Sequence, residues 1–232
     1  MLNLFAVALV DCGIAGMLAG IVSMITPLRF LHVPTRTAGA ALFVGALVTA
    51  VAGLLIPAPL EHVTDARTDL DRAMPAFQFR EGHRTHVKAE PDTVYLAMRA
   101  VTADDILLFR TLTVIRYPLR RQPDGGSILS PPARPEPLLD VVLRTSFRQV
   151  SERSPRELVI ATTVRRGVTA MMNFLIEPNA DGSSELLTET RVFAATPAAA
   201  RSFGAYWHII YPGSSLIRFM WLRAIKTRAE RA

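Results

Sequence analysis

Cysteine is nearly absent from this sequence, and charge is nearly absent from its first quarter. The only cysteine, Cys12, excludes a disulfide within the chain. No glycine-rich phosphate loop is present and no serine has a Gly-x-Ser-x-Gly setting, which disfavours enzymes with recognisable phosphate or acyl-transfer chemistry. The first 57 residues hold one acid, Asp11, and two bases, Arg29 and Arg36. The apolar excess of the chain is therefore N-terminal.

Two long apolar runs occupy residues 1–57. The run from Ala38 to Ile56 is uncharged, and as a helix rising ~1.5 Å per residue it extends about 28 Å, close to the hydrocarbon thickness of a bilayer. The first run contains Asp11, whose burial at mid-bilayer costs roughly 2.5 to 3.5 kcal/mol, whereas a span over Cys12–Leu28 places this acid at the membrane edge. We predict two transmembrane helices. A cleaved signal peptide is the alternative for the first run, although no Lys or Arg precedes it.

Small residues at helical spacing predict that the two helices form a packed hairpin. Gly16 and Gly20 are four residues apart, as are Gly45, Thr49 and Gly53, which permits close backbone approach. The connecting stretch carries Arg29 and Arg36, so the positive-inside tendency favours a cytoplasmic loop and an extracytoplasmic main domain. Because that bias comes from so few residues, the sequence leaves the membrane side open.

Residues 58–74 are predicted to be a tether, and residues 75–232 a folded domain. Alternation over Phe77–Val87 predicts a strand, in which His83 and His86 point to opposite faces. Glu90-Pro91-Asp92 opens a helix, and Thr102 is expected to cap a second one with a buried face of Ile106, Phe109, Leu112 and Ile115. Five prolines in 120–137 predict a loop, and 138–143 is ambiguous between helix and strand.

The last hundred residues predict an antiparallel meander followed by a long helix. The strands are expected at Phe147–Arg153, Glu157–Arg166, Val168–Glu177 and Ser184–Ala195, separated by turn residues. On the last strand, the face of Thr188 and Thr190 is expected to look inward and that of Glu189 and Arg191 toward solvent. The helical pattern begins at Pro197, with a kink expected at Pro212-Gly213.

The element order and three local patterns resemble the START-like or SRPBCC superfamily. The patterns are Thr188-Glu189-Thr190-Arg191-Val192 on the last strand, and Ala205-Tyr206-Trp207 and Tyr211-Pro212-Gly213-Ser214 on the terminal helix. The resemblance covers about Pro75–Glu230. It implies an α+β helix-grip fold, in which a curved antiparallel sheet surrounds a long C-terminal helix and encloses an apolar cavity, here preceded by two transmembrane helices.

The cavity implied by the resemblance suggests seven ligand-binding residues. They are Phe109, Met172, Phe174, Thr188, Thr190, Phe203 and Trp207. Aromatic area with a few hydroxyl or indole groups is a common pocket lining. The alternative is that these side chains fill an ordinary core.

Catalytic and metal chemistry have few candidate residues. His83 and His86 on opposite faces cannot share one ion, so we predict no metal site and no cofactor. Some members of the superfamily are cyclases or dehydratases, and for such a reaction the candidates are His83, Tyr206 and His208; His208 is expected to face solvent.

The basic C-terminal end, which includes Arg223 and Arg228, is expected to complement the helix dipole rather than to bind lipid headgroups. Nucleic-acid binding is not expected.

These patterns predict a membrane-anchored protein that binds a hydrophobic small molecule or lipid. The alternative is a cyclase-like or dehydratase-like enzyme acting on an apolar substrate in the same cavity. A third reading is an interaction protein with a filled core. The oligomeric state is left open.

Overall fold

The computed structural model describes residues 2–109, 111 and 136–232. Its α-helices are α1 (Leu2–Ile25), α2 (Arg36–Leu55), α3 (Asp69–Ala73), α4 (Pro91–Ala100), α5 (Leu138–Thr145) and α6 (Pro197–Ala229). Its strands are β1 (Glu61–His62), β2 (Ala76–Phe77), β3 (Phe79–Val87), β4 (Arg148–Arg153), β5 (Glu157–Arg165), β6 (Val168–Pro178) and β7 (Ser184–Ala194). The chain divides into two compact units. We call Met1–Pro59 with Pro197–Tyr211 the hairpin unit, and Leu60–Thr196 with Pro212–Ala232 the sheet unit.

Helices α1 and α2 form an antiparallel pair within the hairpin unit. Thr35 caps α2, because its hydroxyl accepts a hydrogen bond from the Ala38 N–H at 3.1 Å. A Cβ added to Gly53 would lie 2.9 Å from the Ala6 carbonyl oxygen, and one added to Gly39 would lie 2.8 Å from Ser23 Cβ. Contacts at both ends of the pair therefore place α2 alongside α1 over most of its length.

The contact between α1 and α2 follows a stripe of small residues. A Cβ added to Gly13 would lie 2.7 Å from Ala50 Cβ, and one added to Gly16 would lie 2.8 Å from Ala46 Cβ. The predicted contacts of Gly16, Gly20 and Gly53 are confirmed. The predicted contact of Gly45 is wrong, since no described residue lies within 4 Å of a Cβ built there. The stripe on α2 runs instead through Ala46 and Ala50, one position further along.

Strands β3 to β7 form a five-stranded antiparallel sheet in the order β3-β7-β6-β5-β4. The predicted meander of β4 to β7 is confirmed, since each of these strands pairs with the next. Gly167 and Gly182 take φ values of 74° and 83° in the turns before β6 and β7, a conformation that glycine adopts without strain. Register shifts interrupt the β4–β5 and β5–β6 ladders, and such bulges bend a sheet.

The core of the sheet unit lies between one side of the sheet and its helices. Phe174 and Leu186 of the sheet belong to the same buried cluster as Trp221 and Ile225 of α6. Helices α4 and α5 contribute Val94, Met98, Leu139 and Val142 to that cluster. An antiparallel sheet packed on a long C-terminal helix is the helix-grip arrangement, so the predicted α+β class is confirmed. Helix α6 continues through Pro212, where a kink was expected.

Local structure departs from the sequence patterns in three places. The predicted helix at Thr102 is absent from residues 102–108, which form turns in which the Asp105 carboxylate accepts the Thr102 N–H at 2.8 Å. The ambiguous stretch 138–143 is helical, as part of α5. The predicted tether contains β1 and α3. Leu112, Ile115 and most of the predicted loop, 120–135, lie outside the described residues.

Candidate functional site

Strand pairing fixes which residues of β3 face the same side of the sheet as the predicted ligand-binding threonines. Glu81 is paired with Thr190 and His83 with Thr188. Residues directly opposite on paired strands share a face, so Glu81 and His83 lie on the side of Thr188 and Thr190. Because Phe174 is paired with Thr188 and contacts Trp221 of α6, this is the side that faces α6.

Three polar side chains meet on this helix-facing side. His83 Nε2 lies 2.9 Å from Glu81 Oε1 and 3.2 Å from Ser215 Oγ. We call Glu81, His83 and Ser215 the polar cluster. Glu81 is only 2% exposed, and its second oxygen, Oε2, has no hydrogen-bond partner among the described residues. A buried acceptor without a partner costs about 1 to 3 kcal/mol, and more when it is charged.

The two hydrogen-bond contacts of His83 compete for one ring nitrogen. Both contacts use the same ring nitrogen, Nε2. When Glu81 is ionised, Nε2 is the donor of the contact with Glu81, because a carboxylate only accepts hydrogen bonds. In this arrangement Nε2 donates to Glu81 and is not free to take a proton from Ser215. A nucleophilic serine needs an unprotonated nitrogen at that position.

The opposite side of the sheet holds a second group of buried polar residues, centred on Arg191. Arg191 Nη2 donates to Asp71 Oδ1 at 2.6 Å, Nε donates to Glu189 Oε1 at 2.6 Å, and Nη1 donates to the Met74 carbonyl at 3.2 Å. The guanidinium also lies 4.7 Å from the centre of the Phe77 ring. Arg191 was expected to face solvent, and this is wrong because α3 and β2 cover that face.

Asp71 is held in its ionised form by these contacts. Burial by itself raises the pKa of Asp71, but hydrogen bonds from Arg191, Thr68 and Arg67 outweigh it and lower the pKa to about 2. One carboxylate oxygen accepts the backbone N–H groups of Arg67 and Thr68 at 3.0 and 2.8 Å. Asp71 thus closes the capping box that begins α3.

Glu157 ties the start of α3 to the sheet. Its carboxylate is buried and accepts the N–H groups of Asp69 and Leu70 at 2.8 and 3.3 Å. The side-chain amide nitrogen of Asn173 donates to the same carboxylate at 2.8 Å. The side-chain carbonyl oxygen of Asn173 accepts the Glu189 N–H at 2.9 Å. These buried groups have partners on the α3 side, whereas Glu81 Oε2, on the helix-facing side, has none in the part of the chain that the structure describes.

The structure places five of the seven predicted ligand-binding residues in the sheet unit. Phe109, Met172 and Phe174 are buried in the core cluster, and the Phe174 ring meets Trp221 edge-on at 5.0 Å between centroids. The Thr188 hydroxyl donates to the backbone carbonyl of Asn173 at 2.7 Å, and Thr190 lies opposite Glu81 on the paired strand. Phe203 and Trp207 belong to the hairpin unit, where their rings lie 5.9 Å apart. A cavity shared by all seven stays a prediction.

The candidate residues for the enzymatic alternative are likewise divided between the two units. His83 lies in the sheet unit, whereas Tyr206 and His208 lie in the hairpin unit. His208 is 1% exposed, so the expectation that it faces solvent is wrong. Burial lowers the pKa of His208, and neither of its ring nitrogens has a hydrogen-bond partner among the described residues.

Within the described part of the chain, no group of three or more His, Cys, Asp or Glu residues could hold a metal ion.

A pocket of about 590 Å³ opens beside the last turns of α6. Its lining includes Asp105, Arg223, Arg228 and Arg231, and none of the seven predicted residues. Arg228 lies 3.7 Å from Asp105, which offsets part of the positive charge. This pocket is therefore distinct from the cavity predicted between the strands and the helix.

Sequence reasoning missed Glu81 and Ser215. The alternation that places Phe79 and His83 on one face also includes Glu81, so the pattern contained the signal for a buried acid. Ser215 had no comparable signal, because the helical pattern after Pro212 does not by itself indicate which strand the helix crosses. Trp221 is buried in the core cluster, and its indole N–H also lacks a partner among the described residues.

Comparisons with known proteins leave the function open. No protein family and no curated protein matches the chain. Among solved structures, the chain is similar to CalU16 from Micromonospora echinospora, with 14% identity over 66% of this chain and 84% of that chain, and a TM-score of 0.27. A likeness this distant carries no functional argument. The helix-grip description therefore depends on the strand pairing and helix contacts given above.

Proposed function

We propose that this protein is a membrane-anchored binding protein for a hydrophobic small molecule or lipid. In this proposal α1 and α2 cross the membrane, and the helix-grip domain is a START-like domain that holds the ligand between the sheet and α6. The main domain lies on the extracytoplasmic side, as the two arginines of the connecting stretch favour.

The surface of the helical pair supports membrane anchoring. Helices α1 and α2 are long and apolar enough to cross a membrane by length and composition. Only 28% and 22% of their most apolar windows are buried, which is low for core helices of a soluble protein. Large apolar side chains are exposed along both helices, among them Leu18, Val22, Val44, Val48 and Val51. Lipid chains would cover this surface.

The observation that carries the ligand-binding proposal is the mixed chemistry of the helix-facing side. Glu81 and His83 lie on that side beside Thr188 and Thr190, while Phe174, Leu186 and Trp221 of the same layer are apolar. Ligand sites commonly combine apolar area with a few polar groups that fix orientation. Apolar burial, at ~25 cal/mol per Å², would supply most of the affinity.

The enzymatic alternative stays a second prediction. A cyclase or dehydratase needs a proton-transfer group in the cavity. His83 is the candidate that lies in the sheet unit, and its hydrogen bond to Glu81 is the feature that favours this reading.

Native mass spectrometry of the full chain, purified from membranes in mild detergent, tests the binding proposal. We expect the wild-type chain to carry an apolar molecule of defined mass that organic extraction recovers. Thr190→Phe adds bulk on the helix-facing side and should remove most of that molecule. Thr163→Phe, at an exposed position of β5, is the matched control and should retain it. A wild-type chain that never carries an apolar molecule would contradict the proposal.

A further inference from the structure

Glu81 is a buried carboxylate that the fold satisfies on one oxygen only. Oε1 receives the hydrogen bond from His83, while Oε2 has no partner among the described residues. The neighbouring residues of β3 on the same face are Phe79, which is fully buried, and His83. The Glu81 side chain therefore lies between the buried apolar Phe79 and the polar His83 on the helix-facing side of the sheet.

Among the described residues, no donor of the polar cluster forms a hydrogen bond with Oε2. His83 Nε2 can donate one hydrogen bond, and it lies 2.9 Å from Glu81 Oε1 and 3.2 Å from Ser215 Oγ. Glu81 lies two residues from His83 along the strand and opposite Thr190. Oε2 is an acceptor, so the group that completes the site must be a hydrogen-bond donor.

Charge narrows the class of ligand further. A second carboxylate at this position would meet the Glu81 carboxylate and be repelled, because like charges in a poorly hydrated site are strongly unfavourable. An ether or ester head group has no proton to donate and would leave Oε2 unpaired. An amine or a hydroxyl supplies the missing donor.

We propose that Glu81 binds the polar head of the ligand, and that the ligand is an apolar molecule ending in a hydrogen-bond donor, an amine or a hydroxyl. This inference depends on the proposed function, because it assumes that an apolar molecule enters between the sheet and α6. His83 holds the Glu81 carboxylate in place through Oε1 and leaves Oε2 for the ligand.

Four amphiphiles with the same chain and different heads test the proposal on the full chain in detergent. The probes are hexadecylamine, hexadecanol, hexadecyl methyl ether and hexadecanoate, each titrated and followed by native mass spectrometry. We expect the wild-type chain to bind the amine and the alcohol at least about tenfold more tightly than the ether and the carboxylate, a difference of about 1.4 kcal/mol.

Glu81→Gln should abolish this preference, because the amide replaces one acceptor oxygen with a donor and removes the charge. The matched control is Glu185→Gln on the opposite face of the sheet unit, where Glu185 pairs with the exposed His86. This variant should keep the wild-type ranking.

Equal binding of all four probes by the wild-type chain, or an unchanged ranking in Glu81→Gln, would overturn the role of Glu81 and leave the proposed function standing. Failure of the wild-type chain to bind any of the four would overturn the proposed function itself. The wild-type chain alone tests the expected order of affinities for the four probes. The proposal can therefore be tested even if the Glu81→Gln variant does not fold.

Discussion

Arg191 lies on β7 between two carboxylates, with its guanidinium over the Phe77 ring. It is 6% exposed, and its guanidinium donates hydrogen bonds to Asp71, Glu189 and the Met74 carbonyl. A buried charge of this kind is tolerated only when its partners are in place. Its position also joins α3 to the sheet, since Asp71 belongs to α3. Arg191 therefore has a structural role, in contrast to Glu81.

Replacement of Arg191 by Met is expected to destabilise the sheet unit strongly. The substitution keeps an unbranched apolar side chain but leaves the Asp71 carboxylate buried without its cation, which typically costs 3 to about 5 kcal/mol. Urea unfolding of the full chain in detergent, followed by tryptophan fluorescence, measures the loss. Arg80→Met is the control, because Arg80 pairs with the same Glu189 at 3.1 Å from a largely exposed position and should cost about 1 kcal/mol or less. Similar losses for the two variants would count against the structural role of Arg191.

The elements differ in how far their own sequence determines them. The glycine and alanine stripes bring α1 and α2 close enough for backbone contact at Gly13 and Gly53. The strands of the meander follow directly from alternation and turn residues, so their positions were predicted to within a residue or two. Helix α3 is different. Its five residues are too few to be stable alone, and it exists because Glu157 and Arg191 of the sheet bind its first turn and its Asp71.

Tertiary contacts also explain what the sequence could not predict about the candidate site. The alternation of side chains along β7 predicted that Thr188 and Thr190 share one face. The pairing of β3 with β7, which the sequence patterns did not predict, places His83 on that same face. The burial of Arg191 depends on α3, which is more than 100 residues away along the chain. The assignment of Phe203 and Trp207 to the hairpin unit depends on contacts that no local pattern of α6 encodes.

The small-residue stripe predicts unequal effects of the same substitution at two glycines. In Gly13→Ala the new Cβ would lie 2.7 Å from Ala50 Cβ and N, so the helices must move apart. In Gly45→Ala no described residue lies within 4 Å of the new Cβ. The gain in helix propensity of up to about 1 kcal/mol is therefore not opposed by a steric clash. Thermal unfolding of the full chain in detergent, followed by circular dichroism at helix wavelengths, should show a lower midpoint for Gly13→Ala only. A midpoint for Gly13→Ala as high as that for Gly45→Ala would show that the close contact is not required.

At the scale of the whole molecule, the apolar and charged residues are divided along the chain. The first 57 residues hold three of the chain's charged side chains, and the remainder carries almost all of its net charge of +6. This division fits the proposed function, in which a bilayer takes up α1 and α2 and leaves the sheet unit in water. The membrane side of that unit is the part of the proposal that depends on the fewest residues, Arg29 and Arg36.

The single native cysteine makes the membrane orientation measurable. In a Cys12→Ser background, Ala180→Cys places a thiol in the exposed turn before β7, and Thr37→Cys places one in the exposed first turn of α2. If the connecting stretch is cytoplasmic, a membrane-impermeant maleimide added to intact cells should label Ala180→Cys and spare Thr37→Cys. Permeabilised cells should allow labelling of both, which controls for reactivity. The reverse pattern in intact cells would place the sheet unit in the cytoplasm, and labelling of neither variant before permeabilisation would argue against a span that exposes any part of the chain at the cell surface.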